Sequence, residues 1–450
     1  MVHPLRRQIA TLETARSGNG AGLPSAPSAR AGMAVALLAS TALGGLSASP
    51  ALAQDAVPQG GQIMAGSAVI ASGSQGVTID QSSARAVIAW DSFSLGQGQT
   101  ARFNGPGPDA ATLNRVTGSA ASTIAGTITG NGQVFLVNPN GIAITATGTV
   151  ATGGGFVAST LDLADHDFMS GMLRFSGTSS ALVRNAGRIE AGPAGFAALL
   201  GSRVVNSGTI SVPLGRIGIG AGQAATLDLE GDGFLQVTLP STATGPDSLL
   251  EAGGTLSGAR IALRAADAAE LVRNTVHIPG HLRATGAHAE GGTIVIEGGD
   301  GRMVVSGTLD ASSATAQGGT IELGGRDLVL TGASLIADGA TGGGTIRVGG
   351  GLTGAPRTGL TAARSLDIDA ASSVTARAEQ QGNGGTISVV ENVRACGSNR
   401  LRQRAPCATQ MRFFRSMWMR LARCSPWLEN SGTGSGTLIN VSATGSMMVR

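Results

Sequence analysis

The sequence predicts an all-β solenoid, in which short strands wind into coils that stack around one apolar core. Three observations predict it. Glycine supplies 71 of 450 residues and runs the length of the chain without a three-residue period, which excludes collagen. It provides the positive φ angles that tight turns need. The apolar residues are mostly Ala, Val, Ile and Leu in short runs interleaved with Thr and Ser, a mixture that suits strands. With 42% apolar and 13% charged residues, the chain can bury a core, which argues against disorder. Third, the chain repeats itself.

The repeats set the architecture. Val183-Arg-Asn-Ala-Gly-Arg-Ile189 returns as Val204-Val-Asn-Ser-Gly-Thr-Ile210, which places Asn185 and Asn206 21 residues apart. Gly291-Gly-Thr-Ile-Val-Ile296 returns at Gly318–Leu323, Gly343–Val348 and Gly384–Val389. The threonines Thr293, Thr320, Thr345 and Thr386 mark its period. Between them lie units such as Val305-Ser-Gly-Thr-Leu-Asp-Ala311 and Leu330-Thr-Gly-Ala-Ser-Leu-Ile336. Each unit is two or three short strands that cannot bury an apolar face alone, so stacking is required. Glycine density and β-branched residues argue against helices, and the repeats are short for propeller blades. Residues 54–390 suffice for about 15 coils, a rod on the order of 70 Å at ~4.8 Å per coil. Its ends must be capped, because bare strand edges pair with other chains.

In chain order, residues 1–53 read as an extended signal peptide. Arg6, Arg7, Arg16 and Arg30 precede a small-residue apolar run from Ala31 to Ala48, and Ala51-Leu52-Ala53 is an A-x-A cleavage site before Gln54. The run is short and Gly-interrupted for a membrane span. Residues 54–240 and 241–390 carry the β-repeats. Residues 391–430 break the pattern: Gly thins out, and Cys396, Cys407 and Cys424, the three cysteines of the chain, fall there with Trp418 and Trp427. An inserted basic helix, a disulfide cap and an out-of-frame stretch compete to explain it. An odd cysteine count argues against the cap. A chain without Lys suggests a GC-rich gene, and the expectation is a pair of compensating frameshifts or sequence errors near 391 and 430. Residues 431–450 read as a residual β-repeat tail.

Charge follows this division. The net +3 suggests an anionic partner until it is apportioned. Residues 1–53 hold four Arg and one Glu, and Arg394–Arg423 hold eight Arg and no acid. The remaining body is therefore acidic, at −8, and nucleic acid is excluded as its partner.

From Gly60 to about Leu239 the sequence resembles the N-terminal secretion domain of the filamentous-haemagglutinin and haemolysin exoproteins of two-partner secretion. The motifs occur in the family's order: Trp90-Asp-Ser-Phe-Ser-Leu95, Phe103-Asn-Gly-Pro106, Leu113-Asn-Arg-Val116, Ile124-Ala-Gly-Thr-Ile128, Asn131–Ile142 and Gly153–Asp162. The resemblance implies a right-handed parallel β-helix, N-terminally capped, whose N-terminal coils are read by an outer-membrane transporter. It assigns Asn138, Pro139, Asn140, Gly141 and Ile142 to a signature turn, and Trp90, Asn114, Arg115 and Val116 to the secretion-domain motif. Asn-Pro and Asn-Gly are turn dipeptides in their own right, so a purely structural role for the turn stands beside transporter contact. Trp90 reads as a core or cap aromatic. The family's second motif, of the Asn-Pro-Asn-Leu kind, is absent.

Other chemistry is sparse. Without Lys there is no P-loop or Schiff-base lysine, and no G-x-S-x-G elbow occurs. Gly349-Gly-Gly-Leu-Thr-Gly354 matches a dinucleotide pattern only as Gly-rich repeats do by chance. Asp162, Asp165, His166 and Asp167 form the sharpest polar cluster, read as a solvated loop before an acid–base or cation site. His277, His281 and His288 straddle a Pro-Gly turn too loosely for zinc. No cofactor, metal or catalytic residue is expected. The expectation is a non-enzymatic adhesin or haemagglutinin-like protein, secreted or surface-exposed by way of the periplasm. Its partners would be the outer-membrane transporter and a host-cell, carbohydrate or neighbouring-cell ligand. A β-helix polysaccharide enzyme, or a truncated haemolysin or contact-dependent toxin passenger, are the alternatives.

Overall fold

The computed structural model describes residues 56–229, 233–241, 247–266, 274–286, 291–349, 360–391, 437–442 and 447–448. The signal region, the cysteines, His288 and most of the Arg-rich segment lie outside the described residues. All described residues belong to the compact unit Ala51–Arg450.

This unit is a right-handed parallel β-helix with three faces. One plain coil shows the plan: strand Ser122–Ile124 on the first face, Thr127–Gly130 on the second and Gln133–Val137 on the third, joined by two-residue turns. The next coil repeats the plan with Ile142–Ile144, Thr149–Thr152 and Gly155–Ser159, each strand parallel to its predecessor. The first face is a nine-stranded parallel sheet running from Ser122–Ile124 to Ser365–Ile368. The expected repeats are in register. Val183 lies on Val204 and Asn185 on Asn206, and Thr293, Thr320, Thr345 and Thr386 form one column on the third face.

The stack has fewer coils than the expected 15, because some coils make long detours. Ile142 pairs with Val183, 41 residues on, and Val204 with Leu250, 46 residues on. These two detours form a structure the repeats do not announce. Strands Asp162–Leu163, Leu173–Ser176, Ala224–Leu227 and Leu235–Leu239 make a four-stranded antiparallel sheet outside the helix. It lies on the outer side of the third face and buries Val87, Leu113, Phe135, Val157, Ala198 and Ala262, which with Gly218 between the last two form one column there. Under this sheet the third face is thus buried on both sides. Its strands read as unbroken apolar runs, such as Gln133-Val-Phe-Leu-Val137.

The inner core is a continuous file of Val, Ile, Leu and Ala from Val77 to Ile387. Close stacking explains the Gly-Gly pairs. A Cβ on Gly319 would lie 2.0 Å from the Gly292 carbonyl oxygen, and one on Gly344 2.1 Å from that of Gly319. Both ends are covered by antiparallel strands. At the N-terminal end, Gln62–Ala65 lies against Arg85–Trp90 and Ala68–Gly73 against Gly76–Gln81. At the other end, Thr437–Ser442 lies against Thr386–Glu391 and Met447–Met448 against Ser373–Thr375. The segment expected to be a residual repeat thus reverses direction on the last coil.

Candidate functional site

The residues singled out from the sequence converge on one corner, where the chain turns from the third face back to the first. Trp90 ends the strand Arg85–Trp90, and Val116 sits directly on it in the next coil. Trp90 is buried and meets Phe93 edge-on, with ring centroids 5.5 Å apart. Gly61 passes over its indole so closely that a Cβ would lie 2.6 Å from the ring. A buried indole N–H needs an acceptor. Trp90 Nε1 donates to Asn114 Oδ1 at 3.0 Å, and Asn114 Nδ2 donates to the Phe135 carbonyl oxygen at 3.2 Å. Asn114 follows Ile88 in an inward-facing column that continues with Leu136. A polar residue belongs there because it completes the tryptophan's hydrogen bonding.

One coil further on, Asn138-Pro-Asn-Gly141 closes as a turn, with Gly141 N–H donating to the Asn138 carbonyl oxygen at 3.1 Å. Proline fixes φ at the second position and Gly141 takes a φ of +113° at the fourth. Asn138 is fully buried. Its Nδ2 donates to the Ala120 carbonyl oxygen and to Ser122 Oγ, each at 2.9 Å. Its Oδ1 accepts from the Asn140 backbone N–H at 2.9 Å. Asn140 Nδ2 donates to the Gly118 carbonyl oxygen at 2.8 Å, and Thr117 N–H to that of Trp90 at 2.8 Å. The loop after Val116 therefore ties the signature turn to the Trp90 strand. Ile142 enters the core and leads the first-face strand Ile142–Ile144, while Pro139 and Asn140 remain exposed.

Arg115 points the other way, toward the detour. Its Nε donates to Asp162 Oδ1 at 2.9 Å, its Nη1 to Asp165 Oδ1 at 2.6 Å and its Nη2 to the Leu163 carbonyl oxygen at 2.5 Å. Burial lowers the affinity of this guanidinium for its proton, but the hydrogen bonds it donates to Asp165 and Asp162, with their charge, outweigh it and raise the pKa. The acidic cluster is solvated but not free: Asp162 and Asp165 keep side-chain exposures of 58% and 43% while bonded to Arg115. Asp162 and Asp165 clamp the detour to the coil, and Asp165–Met169 is a short helix. Its Phe168 packs edge-on to Phe135 at 5.2 Å and beneath the guanidinium of Arg85 at 5.3 Å. Burial pushes that guanidinium's pKa down. His166 is exposed and lies 3.5 Å from Asp167. Asp162 and Asp165 thus share a structural partner in Arg115.

The remaining candidates are scattered. His277 lies in the strand Val276–Ile278 of the first face and His281 in the strand His281–Ala284 of the second. Among the described residues no group of three His, Cys, Asp or Glu is placed to hold a metal ion. Sequence reading missed the link between Arg115 and the acidic cluster, since the partners are 47 and 50 residues apart. It also missed the outer sheet, although Ile217-Gly-Ile-Gly-Ala221 carries its signal. The outward glycines Gly218 and Gly220 leave room for Phe234, Leu235 and Val237.

The family model of the TPS secretion domain matches residues 54–311. A heme/hemopexin-binding protein of Haemophilus influenzae (strain ATCC 51907 / DSM 11121 / KW20 / Rd) is 30% identical over 254 residues, 54% of this chain and 27% of that protein. A second heme/hemopexin-binding protein of Haemophilus influenzae is 45% identical over 87 residues, 19% of this chain and 9% of that protein. This chain thus spans about a quarter or less of the length of these curated relatives. The crystal structure of the HMW1 secretion domain from Haemophilus influenzae superposes with a TM-score of 0.62 at 27% identity. The overlap covers 73% of this chain and 93% of that one.

Proposed function

Because this chain belongs to the family of TPS secretion domains, carried by the exoproteins of two-partner secretion, we propose that it is a β-helical adhesin displayed at or released from the bacterial surface. The family implies an outer-membrane transporter as partner and a route through the periplasm. In this reading residues 54–240, which hold the signature corner and the outer sheet, are the part the transporter reads. Residues 241–390 continue the coils as passenger, and a host-cell, carbohydrate or neighbouring-cell surface is the target. The chain acts by binding, since its sharpest polar cluster is occupied in holding the detour. The heme and hemopexin binding in the relatives' names is not carried over, because the shared stretch is about a quarter or less of each relative.

The observation that carries the transporter reading is the signature corner. Three motifs from successive coils meet there, and Pro139 and Asn140 are what the turn leaves exposed. Co-expression with the cognate transporter, with the exported chain quantified in medium and on cells, tests it. Pro139→Ala with Asn140→Ala should lower export about tenfold, while the thermal midpoint of the purified chain shifts by no more than the loss of one or two exposed hydrogen bonds, about 1–2 kcal/mol. Full export of that variant would leave the turn a purely structural device.

A further inference from the structure

We propose that the seam where the outer sheet gives way to the bare coils is a binding site for a sugar acid, with Arg264 taking the carboxylate and Glu297 a hydroxyl of the same ring. The outer sheet ends at its edge strand Leu235–Leu239. Beside that strand lies a cavity of about 230 Å³, and every residue lining it is described. Val237, Thr238 and Pro240 come to it from the edge strand and its exit, Arg264 from the third face, and Glu297 and Thr361 from the coils beyond.

Arg264 is a cation without an acceptor. Its Nε is buried and makes no hydrogen bond, and no hydrogen bond or ion pair joins its guanidinium to a described residue. Buried donors are almost always bonded. The carboxylates near it are engaged elsewhere. Glu297 lies beside Arg264 in the next strand and is only 8% exposed. Its Oε1 accepts from the Gly299 N–H at 2.9 Å and its Oε2 from the Thr361 N–H at 2.8 Å. Glu322 accepts from Arg347 Nη1 at 2.6 Å. Burial pushes the Arg264 pKa down, with Glu297 and Glu322 acting against the shift and Arg260 with it. A guanidinium so placed is completed by an acceptor from outside, and its planar fork matches a carboxylate.

The rest of the lining selects the ligand. Each Glu297 oxygen accepts one N–H and has a second lone pair for a hydroxyl. Arg264 and Glu297 stand one strand spacing apart, ~4.8 Å, which suits two substituents of one sugar ring. Pro240, Ala265 and Ala266 offer small apolar surfaces to the ring's C–H face. The volume is below the roughly 300–1,000 Å³ of drug-sized sites, so the cavity takes a single ring. A peptide C-terminus is captured by free backbone N–H groups, and those of Gly299 and Thr361 are already given to Glu297. The second charge of a phosphate would be repelled by Glu297. The site narrows the carbohydrate target proposed above and rests on that reading only for the ligand's origin. Binding by the purified chain is decided without the transporter, so this proposal and the export reading fail separately.

Isothermal titration calorimetry of the purified chain with glucuronate, glucose, alanine and inorganic phosphate, each to about 20 mM to cover weak binding, is the test. Glucuronate should bind with a Kd on the order of 1 mM, and glucose at least about tenfold more weakly. Arg264→Met should weaken glucuronate binding at least about tenfold without lowering the thermal midpoint, because it removes an unbonded donor and breaks no bond. No heat with glucuronate overturns the proposal and leaves water as the partner of Nε. Glucose or phosphate binding as tightly as glucuronate overturns it too, since the carboxylate is then not what is read. Tighter binding of alanine overturns it in favour of a zwitterion. A lowered midpoint with unchanged glucuronate affinity in Arg264→Met would make Arg264 a structural residue and overturn it. If that variant does not fold, hydrogen exchange of the wild type decides: glucuronate, and not glucose, should slow exchange at Gly299 and Thr361.

Discussion

Asp369 concentrates more hydrogen bonds than any exposed carboxylate near it. It follows the first-face strand Ser365–Ile368 and accepts from the backbone of Gly332 in the preceding coil, and from the backbone and hydroxyl of Ser372. The Gly332 N–H, helped by the Ser372 hydroxyl, holds its pKa below the ordinary carboxylate value. A carboxyl with a depressed folded pKa contributes fully above its unfolded pKa and loses that contribution as pH falls through the folded one. Stability should therefore begin to fall as pH drops below about 4. Asp369→Asn should be less stable at neutral pH and show a shallower loss on acidification. Thermal melts of both proteins between neutral pH and about pH 3 measure this, and parallel curves would remove Asp369 from the account. Not every residue of this kind is visible beforehand. The Asn138-Pro-Asn-Gly141 turn is legible because each residue type carries its own backbone preference. The partner of Arg115 is not, because the detour that delivers Asp162 and Asp165 has to be folded before they meet.

The outer sheet shows where element-level reading stops. Repeats with Gly-centred turns announce coils, and the columns of Asn185 on Asn206 and Thr293 on Thr320 follow from equal spacing. Antiparallel strands drawn from two separate detours share no period with the coils or with each other. Asp162–Leu163 has two residues, and Leu173–Ser176 finds its second partner, Ala224–Leu227, about 50 residues on. Physical traces of the sheet do exist, in the apolar run Gln133–Val137 and the outward glycines Gly218 and Gly220, but they mark a covered face without naming its cover. The sheet is anchored through the short helix, whose Phe168 is fully buried against Phe135. Phe168→Ala should cost about 3–5 kcal/mol of local stability. Limited proteolysis should then cut within 160–181 while the far-ultraviolet β-signal persists. Resistance equal to the wild type would mean that the Arg115 clamp alone secures the detour.

Beyond the outer sheet and its helix, the coils pair strand by strand with their neighbours, so stability there should behave as a sum of coil terms and interface terms. The Gly-Gly column is where this can be tested without touching the apolar core. Gly319 stacks between Gly292 and Gly344, with room for neither a Cβ below nor a displaced carbonyl above. Gly319→Val adds a side chain whose Cβ would begin 2.0 Å from the Gly292 oxygen, so the backbones must separate at that interface. If coupling is nearest-neighbour, exchange protection should collapse in Thr320–Gly324 and the coils beyond it. The coils from Ser122–Ile124 to Phe196–Gly201, which have their own cap and outer sheet, should keep wild-type protection. The outer sheet makes the opposite result meaningful. It bonds the coils beneath it into a thicker block than the bare coils that follow, so the boundary of lost protection should fall between Leu263 and Ile294 or beyond. Equal loss of protection in the N-terminal coils would show that the chain unfolds as one cooperative body and that its coils are not independent units.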